Sequence, residues 1–191
     1  MKNSNKRDDI LQAALELIAE RGFHECPMSL IAEKAKVGSG TIYIYFKNKD
    51  ELIKEVHLML ERKILSVVHE YYPEGRDVRE RLLHIGRTVI LYMINNPVHF
   101  RFVEQYFNSP YGESLQRERI FGKNAEFDIF RKVIEEGIRE NVLKDLPVFM
   151  HFALGFGPTL VMVRDHIFGL VNFDEEQINQ ALEAYWDGVK R

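Results

Sequence analysis

The residues best placed to do chemistry lie in one short run, Ser39-Gly40-Thr41-Ile42-Tyr43-Ile44-Tyr45-Phe46-Lys47-Asn48-Lys49. Wound as a helix from Ser39, it puts Ile42 and Phe46 on one face, one turn apart, and turns Gly40 and Ile44 to the other, flanked by Thr41 and Tyr43. The outward face then carries hydroxyls at Ser39, Thr41 and Tyr43, an apolar tip at Ile44 and a gap at Gly40. Hydroxyls hydrogen-bond bases or phosphates, an aliphatic tip meets a thymine methyl, and glycine allows close backbone approach. Tyr45 and Lys47 reach the edge of such a face. Lys49 stands where a further helix opens and unpaired N–H groups favour phosphate. Lys6 and Arg7 are candidates to anchor the start of the chain on the flanking backbone. These types at this spacing suit a DNA major groove, which is wide enough to admit a helix.

Other chemistries find less support. The seven histidines, His24, His57, His69, His84, His99, His151 and His166, are scattered and form no His-Glu-x-x-His pattern. A single cysteine, Cys26, excludes an internal disulfide and a multi-cysteine zinc site. No strand precedes the glycines at 38 and 40, and no Gly-Lys-Ser/Thr follows them, so a phosphate-binding loop is not indicated. No catalytic residue, metal or cofactor is expected. The chain carries 26 Lys/Arg and 29 Asp/Glu, net −3, which excludes a uniformly basic coat. Residues 1–50 nevertheless hold eight basic and seven acidic side chains, and four lysines fall between Lys34 and Lys49 with no acid among them. That asymmetry marks a local docking surface on a mildly acidic protein.

The elements that must position this face are all helical, so the expected class is all-α, with about nine helices. Asp9–Glu20 has Ile10, Ala13, Ala14, Leu17 and Ile18 on one stripe, and Gly22 is its left-handed stop. Pro27 starts a second short helix bearing Ile31, Ala32 and Ala35. A tight turn leads to the third, about Ser39–Phe46, and together they form a helix-turn-helix candidate. A long fourth helix runs from Asn48 or Lys49 to about Tyr71. Further helices are expected over Val78–Ile94, Val98–Phe107, Leu115–Ile138, Pro147–Phe168 and Asp174–Val189, the last opened by an Asp174/Gln177 capping box. Pro158 is expected to kink its helix. The first 48 residues are near the minimum for a core and must lean on the fourth helix. The expected division is a DNA-binding domain over 1–48 and a ligand-binding and dimerisation domain over 49–191. Met1–Asp9 is polar and no signal peptide follows. The apolar run Phe152–Val163 is too short to span a bilayer. A soluble cytoplasmic protein without membrane attachment is expected.

Two segments, ILQAALELIAERGF (Ile10–Phe23) and IAEKAKVGSGTIYIYFKNKDEL (Ile31–Leu52), resemble the TetR family of bacterial transcriptional regulators in residue type and spacing. The family pattern is I-L-x-A-A-x-x-L-x-x-x-x-G-F/Y, then I-A-x-x-A-G-V-S-x-G-T-x-Y-x-x-F-x-x-K-x-x-L. The resemblance implies a recognition helix on Ser39–Tyr45, with contacts from Ser39, Gly40, Thr41, Tyr43, Ile44 and Tyr45 and a phosphate-binding lysine at Lys49. This chain departs at three places: Lys36 replaces the turn glycine, Gly38 the capping serine and Pro27 a threonine. The turn is expected to be reshaped, with Lys36 and Gly38 at the DNA backbone.

A single helix-turn-helix reads few base edges, so a second copy and a palindromic operator are expected. The candidate homodimer interface is the stripe Ile178, Leu182, Tyr185, Trp186 and Val189, with Pro147–Phe168 beside it. The resemblance points the same way, since the family usually dimerises through its last helices. It also implies a repressor released by a small molecule. Candidate lining residues for an apolar or aromatic effector are Tyr92, Met93, Phe100, Val103, Phe107, Phe127, Phe130, Phe152, Phe156 and Met162, where Phe and Met cluster. The alternative is a helical ligand-binding or adaptor protein without sequence-specific DNA binding.

Overall fold

The computed structural model describes residues 5–113 and 129–191. Nine helices are labelled among them, α1 (Lys6–Arg21), α2 (Met28–Lys34), α3 (Ser39–Tyr45), α4 (Lys49–Glu70), α5 (Val78–Asn95), α6 (Pro97–Phe107), α7 (Ile129–Arg139), α8 (Val148–Ile167) and α9 (Glu175–Val189), and residues 110–113 are helical as well. The class is all-α. Among the described residues the one isolated extended pairing is Leu143 with Lys190, which ties the C-terminal residues down beside α7. Most of the helix expected over Leu115–Ile138 lies outside the described residues.

Local sequence accounts for most boundaries. Asn5 caps α1, its side chain accepting from the Arg7 N–H at 3.2 Å. Gly22 stops that helix with φ 81° while its N–H donates to the Ile18 carbonyl at 2.8 Å. Pro27 is the N-cap of α2 and has no cap hydrogen bond from a side chain. Asn48 opens α4, accepting from the Glu51 N–H at 2.8 Å. Glu51 in turn accepts from the Lys47 N–H at 2.8 Å. The Asp174/Gln177 capping box of α9 is complete in both directions. Pro158 lies inside α8, at an exposed position, and the helix assignment continues through it.

Packing divides the chain into two units. One comprises Met1–Lys63 and Asn96–Ser114, the other Ile64–Asn95 and Leu115–Arg191. In the first, α1 packs on α2 and α6, and α2 on α3. Its buried residues include Ile10, Ile18, Ile31, Ile42, Phe46, Leu52, Ile53, Phe100 and Phe102. The three head helices are thus completed by the start of α4 and by α6, as a segment too short for its own core requires. In the second unit α5 is central and packs against α7, α8 and α9. Its core joins Val68, Leu82, Ile85, Phe130, Val133, Ile134, Leu143 and Val189. Arginines on α5 hold the neighbours: Arg81 is bidentate to Glu136 on α7, Arg79 pairs with Glu183, and Arg87 with Glu175 at 3.1 Å. The Glu136 carboxyl is held below its ordinary range chiefly by the hydrogen bond from Arg81.

Candidate functional site

α2 and α3 are joined by a turn over residues 35–38. The Lys36 N–H donates to the Glu33 carbonyl and the Val37 N–H to Ala32, both at 3.0 Å. The chain reverses at Lys36, whose φ is 55°. That left-handed conformation suits glycine and strains a lysine, and it falls at the position where the resemblance expects a glycine. Gly38 is the N-cap of α3 and offers no side-chain cap.

α3 has two distinct faces. Ile42 and Phe46 are fully buried beneath it. Ser39 and Gly40 are exposed, Thr41 is half-buried, and Tyr43, Ile44 and Tyr45 are 55%, 79% and 37% exposed. A Cβ added at Gly40 would meet nothing within 4 Å, so the surface there is open. An isoleucine so far out on a helix whose other face is buried contributes nothing to the subunit's own core. With Tyr43 and Tyr45 beside it, it makes this face of α3 largely apolar and open to solvent.

The cations around α3 fall into two groups. Lys6, Lys36 and Lys47 are exposed. Lys6 and Lys36 border an open groove of about 500 Å³ between α1 and the turn, with Lys34 paired to Glu16 at 2.9 Å beside them. Lys49, by contrast, is half-buried and donates its Nζ to the Phe23 carbonyl. Arg7 pairs with Glu55 and lies over the Phe46 ring at 5.5 Å, so it fastens α1 to α4 within the unit. Asp50, next to Lys49, accepts from the Tyr111 hydroxyl at 2.8 Å. Burial, reinforced by that carboxylate, pushes the Tyr111 phenol up to about 12. The Phe23 ring meets Phe102 and Tyr111, and His57 stacks on Tyr106 at 4.2 Å. The Tyr111–Asp50 hydrogen bond carried no signal in the sequence, because its partners are 61 residues apart.

The ten candidate effector residues are not all brought together. Phe100, Val103 and Phe107 belong to the first unit, where Phe100 and Val103 are buried. Tyr92 and Met93 are in the second, half-buried and buried. Phe127 lies outside the described residues. Phe130, Phe152 and Phe156 form one cluster with ring centroids 4.5–5.4 Å apart. Phe130, Phe156 and Met162 line a cavity of about 400 Å³ between α5, α7, α8 and α9.

The α9 stripe divides as well. Ile178, Leu182 and Val189 are buried within their own unit, and Tyr185 and Trp186 pack half-buried against its core. Apart from Val67 and Tyr71 at the end of α4, the large apolar side chains left exposed in this unit lie on α8 and the turn after it: Phe149, Met150, Leu154, Val161, Phe168, Leu170 and Val171. Met150, Leu154 and Val161 recur at spacings of four and seven, along one helical face. The sequence signal for that face was the excess of apolar residues around α8 over what one core contact uses.

Comparison with known proteins decides the family. The model of bacterial regulatory proteins of the tetR family matches residues 10–56, and that of the tetracyclin repressor-like C-terminal domain matches 78–190. The chain belongs to the TetR family. It is a DNA-binding, helix-turn-helix regulator of transcription with a ligand-responsive domain, and not an enzyme. An HTH-type transcriptional regulator of Haemophilus influenzae is 22% identical over 96% of this chain and 95% of its own. The fatty acid metabolism regulator protein of Bacillus subtilis is 37% identical over 38% of each chain. Among solved structures, a TetR family transcription regulator from Marinobacter aquaeolei VT8 covers 97% of this chain and 95% of its own at 23% identity, TM-score 0.82. The regulator FadR of Bacillus subtilis in complex with stearoyl-CoA covers 95% and 98% at 23% identity, TM-score 0.76. Among the described residues no helix is long and apolar enough to cross a membrane, and no group of metal-ligating side chains occurs.

Proposed function

We propose that this TetR-family chain is a cytoplasmic repressor that binds a palindromic operator as a homodimer and is released by a small apolar or aromatic molecule. The observation that carries the reading is the outward face of α3, open at Gly40 and tipped by Tyr43 and Ile44 over a buried Ile42/Phe46 pair. Ser39, Thr41, Tyr43 and Ile44 read base edges. Tyr45, Lys6, Lys36, Lys47 and the Gly38 backbone hold phosphates on either side. Lys49 takes phosphate by exchanging the Phe23 carbonyl for it. The reading head is residues 1–48, and 49–191 answer to ligand and to the second subunit.

The pairing surface we propose is the exposed stripe of α8 with the turn that follows it, set against the outward residues of α9. An apolar face of this kind is a liability on a monomer and an asset in a dimer. Two subunits each giving α8 and α9 make a four-helix contact that spaces two heads on successive turns of DNA. An apolar effector agrees with the aromatic character of the Phe130 cluster, and with relatives whose names refer to fatty acids or their thioesters. Release follows from a shift in population between two head spacings. α4 begins in the first unit at Lys49 and ends in the second at Glu70, so one helix serves as the link.

Selection of bound duplexes from a random pool tests this reading. A palindrome bound with two subunits and a steep loss of affinity with salt is the expected result. No preference among duplexes at low salt would favour a helical adaptor instead.

A further inference from the structure

The outward face of α3 carries no charge and no amide. Between Ser39 and Phe46 there is no Arg, Lys, Asn, Gln, Asp or Glu. Those are the side chains that identify a base most sharply by hydrogen bonds: arginine or lysine on guanine, asparagine or glutamine on adenine, a carboxylate on cytosine. The hydroxyls of Ser39, Thr41, Tyr43 and Tyr45 remain. A hydroxyl both donates and accepts, so it discriminates among base edges less sharply. One exposed side chain has a chemistry that matches a single natural base. Ile44 is aliphatic, and the apolar group that the major groove offers is the thymine C5 methyl. Gly40 lies one turn before Ile44 on the same face, and a Cβ there would meet nothing within 4 Å. The helix can therefore come close enough to the bases for a side chain as short as isoleucine to touch them. Exposed Lys6, Lys36 and Lys47 around this face supply the charge that draws a phosphate backbone onto it.

Resting on the base-reading role proposed above, we infer that Ile44 selects a base with a C5 methyl, thymine or 5-methylcytosine, at one position of each operator half-site. Contact removes the methyl and the Ile44 side chain from water together, and that burial is the gain. Thymine presents its methyl at the groove edge. 5-Methylcytosine in its place presents the same group at the same point, whereas cytosine and uracil bring only a hydrogen there. Discrimination at this position is thus by apolar burial, and methylation of a cytosine substitutes for thymine in what Ile44 touches.

Fluorescence anisotropy of the full-length protein on its selected duplex tests the inference, with each thymine of the half-sites replaced in turn by uracil. At one symmetry-related pair of positions the affinity should fall about fourfold for each methyl removed, the worth of burying one such group. At the same pair, 5-methylcytosine should bind about fourfold more tightly per site than cytosine. Ile44→Ala, a change at an exposed position, should weaken the thymine duplex and bring thymine and uracil within about twofold of each other. Thr41→Ala should weaken binding and keep the methyl effect. Half-sites without thymine, thymines all insensitive to loss of the methyl, or a methyl effect that survives Ile44→Ala would each overturn the inference. So would loss of the effect in Thr41→Ala. Wild-type preference for the selected duplex over a scrambled one is measured alongside. Preference kept without a methyl effect refutes the role of Ile44 alone, whereas no preference refutes the base-reading role on which it rests.

Discussion

Lys36 holds a backbone angle that its side chain does not favour, with φ 55° at the tightest point of the helix-turn-helix. Lys36→Gly should therefore raise unfolding free energy by about 1 kcal/mol in urea titrations. The same change removes an exposed cation, so it should weaken all duplexes alike and flatten the salt dependence. Gly40 poses the opposite trade. No atom stands within 4 Å of its absent Cβ, and φ there is not left-handed. Gly40→Ala should stabilise α3 by about 0.5–1 kcal/mol, since alanine loses less entropy in a helix, while weakening the selected duplex more than a random one. These two residues were legible to different degrees. Gly40 followed from helical phasing around Ile42 and Phe46. The departure at Lys36 was visible against the family pattern, but its consequence needed the backbone angle. The engagement of Lys49 with the Phe23 carbonyl was not legible, because it links residues that only the fold brings together.

Helix by helix, periodicity and capping residues carried most of the information. Gly22, Asn48 and the Asp174/Gln177 pair stop or start helices for the reasons their chemistry gives. The division of α9 was not legible. A stripe of Ile178, Leu182 and Val189 looks the same whether it meets its own core or a second subunit, and burial alone separates the two. Burial also sets a pH dependence within α8. His151 is fully buried, its Nε2 set 3.2 Å from the Lys144 carbonyl and its Nδ1 without a partner. Burial holds it below the ordinary histidine value of 6.5. The unfolded chain therefore binds the extra proton first. Its contribution to stability is complete above about pH 6.5 and is lost as the pH falls through that value toward the folded one. His99 is lowered in the same direction, by burial and then by Lys63. Melting temperature should fall from pH 7.5 to pH 5, and His151→Gln should reduce the slope without removing the His99 share.

On the scale of the whole molecule, exposed apolar area and exposed reading face demand each other. A head that contacts few bases needs a twin, and the α8 face needs a cover. Leu154→Asp places a charge on that face at a residue 46% exposed. It should leave helix content intact, shift the protein to monomer in sedimentation, and weaken the selected duplex at least about tenfold through loss of the paired contact. The family pattern makes pairing expected from sequence, but which side chains are free to pair depends on what each subunit buries for itself. The most direct test of the central claim compares Thr41→Ala and Tyr43→Ala with wild type on the selected duplex and on a scrambled one, at fixed salt. Loss of about 1–3 kcal/mol on the selected duplex with little change on the scrambled one is the result expected for base reading. Equal losses on both, or none on either, would contradict the claim that α3 reads sequence.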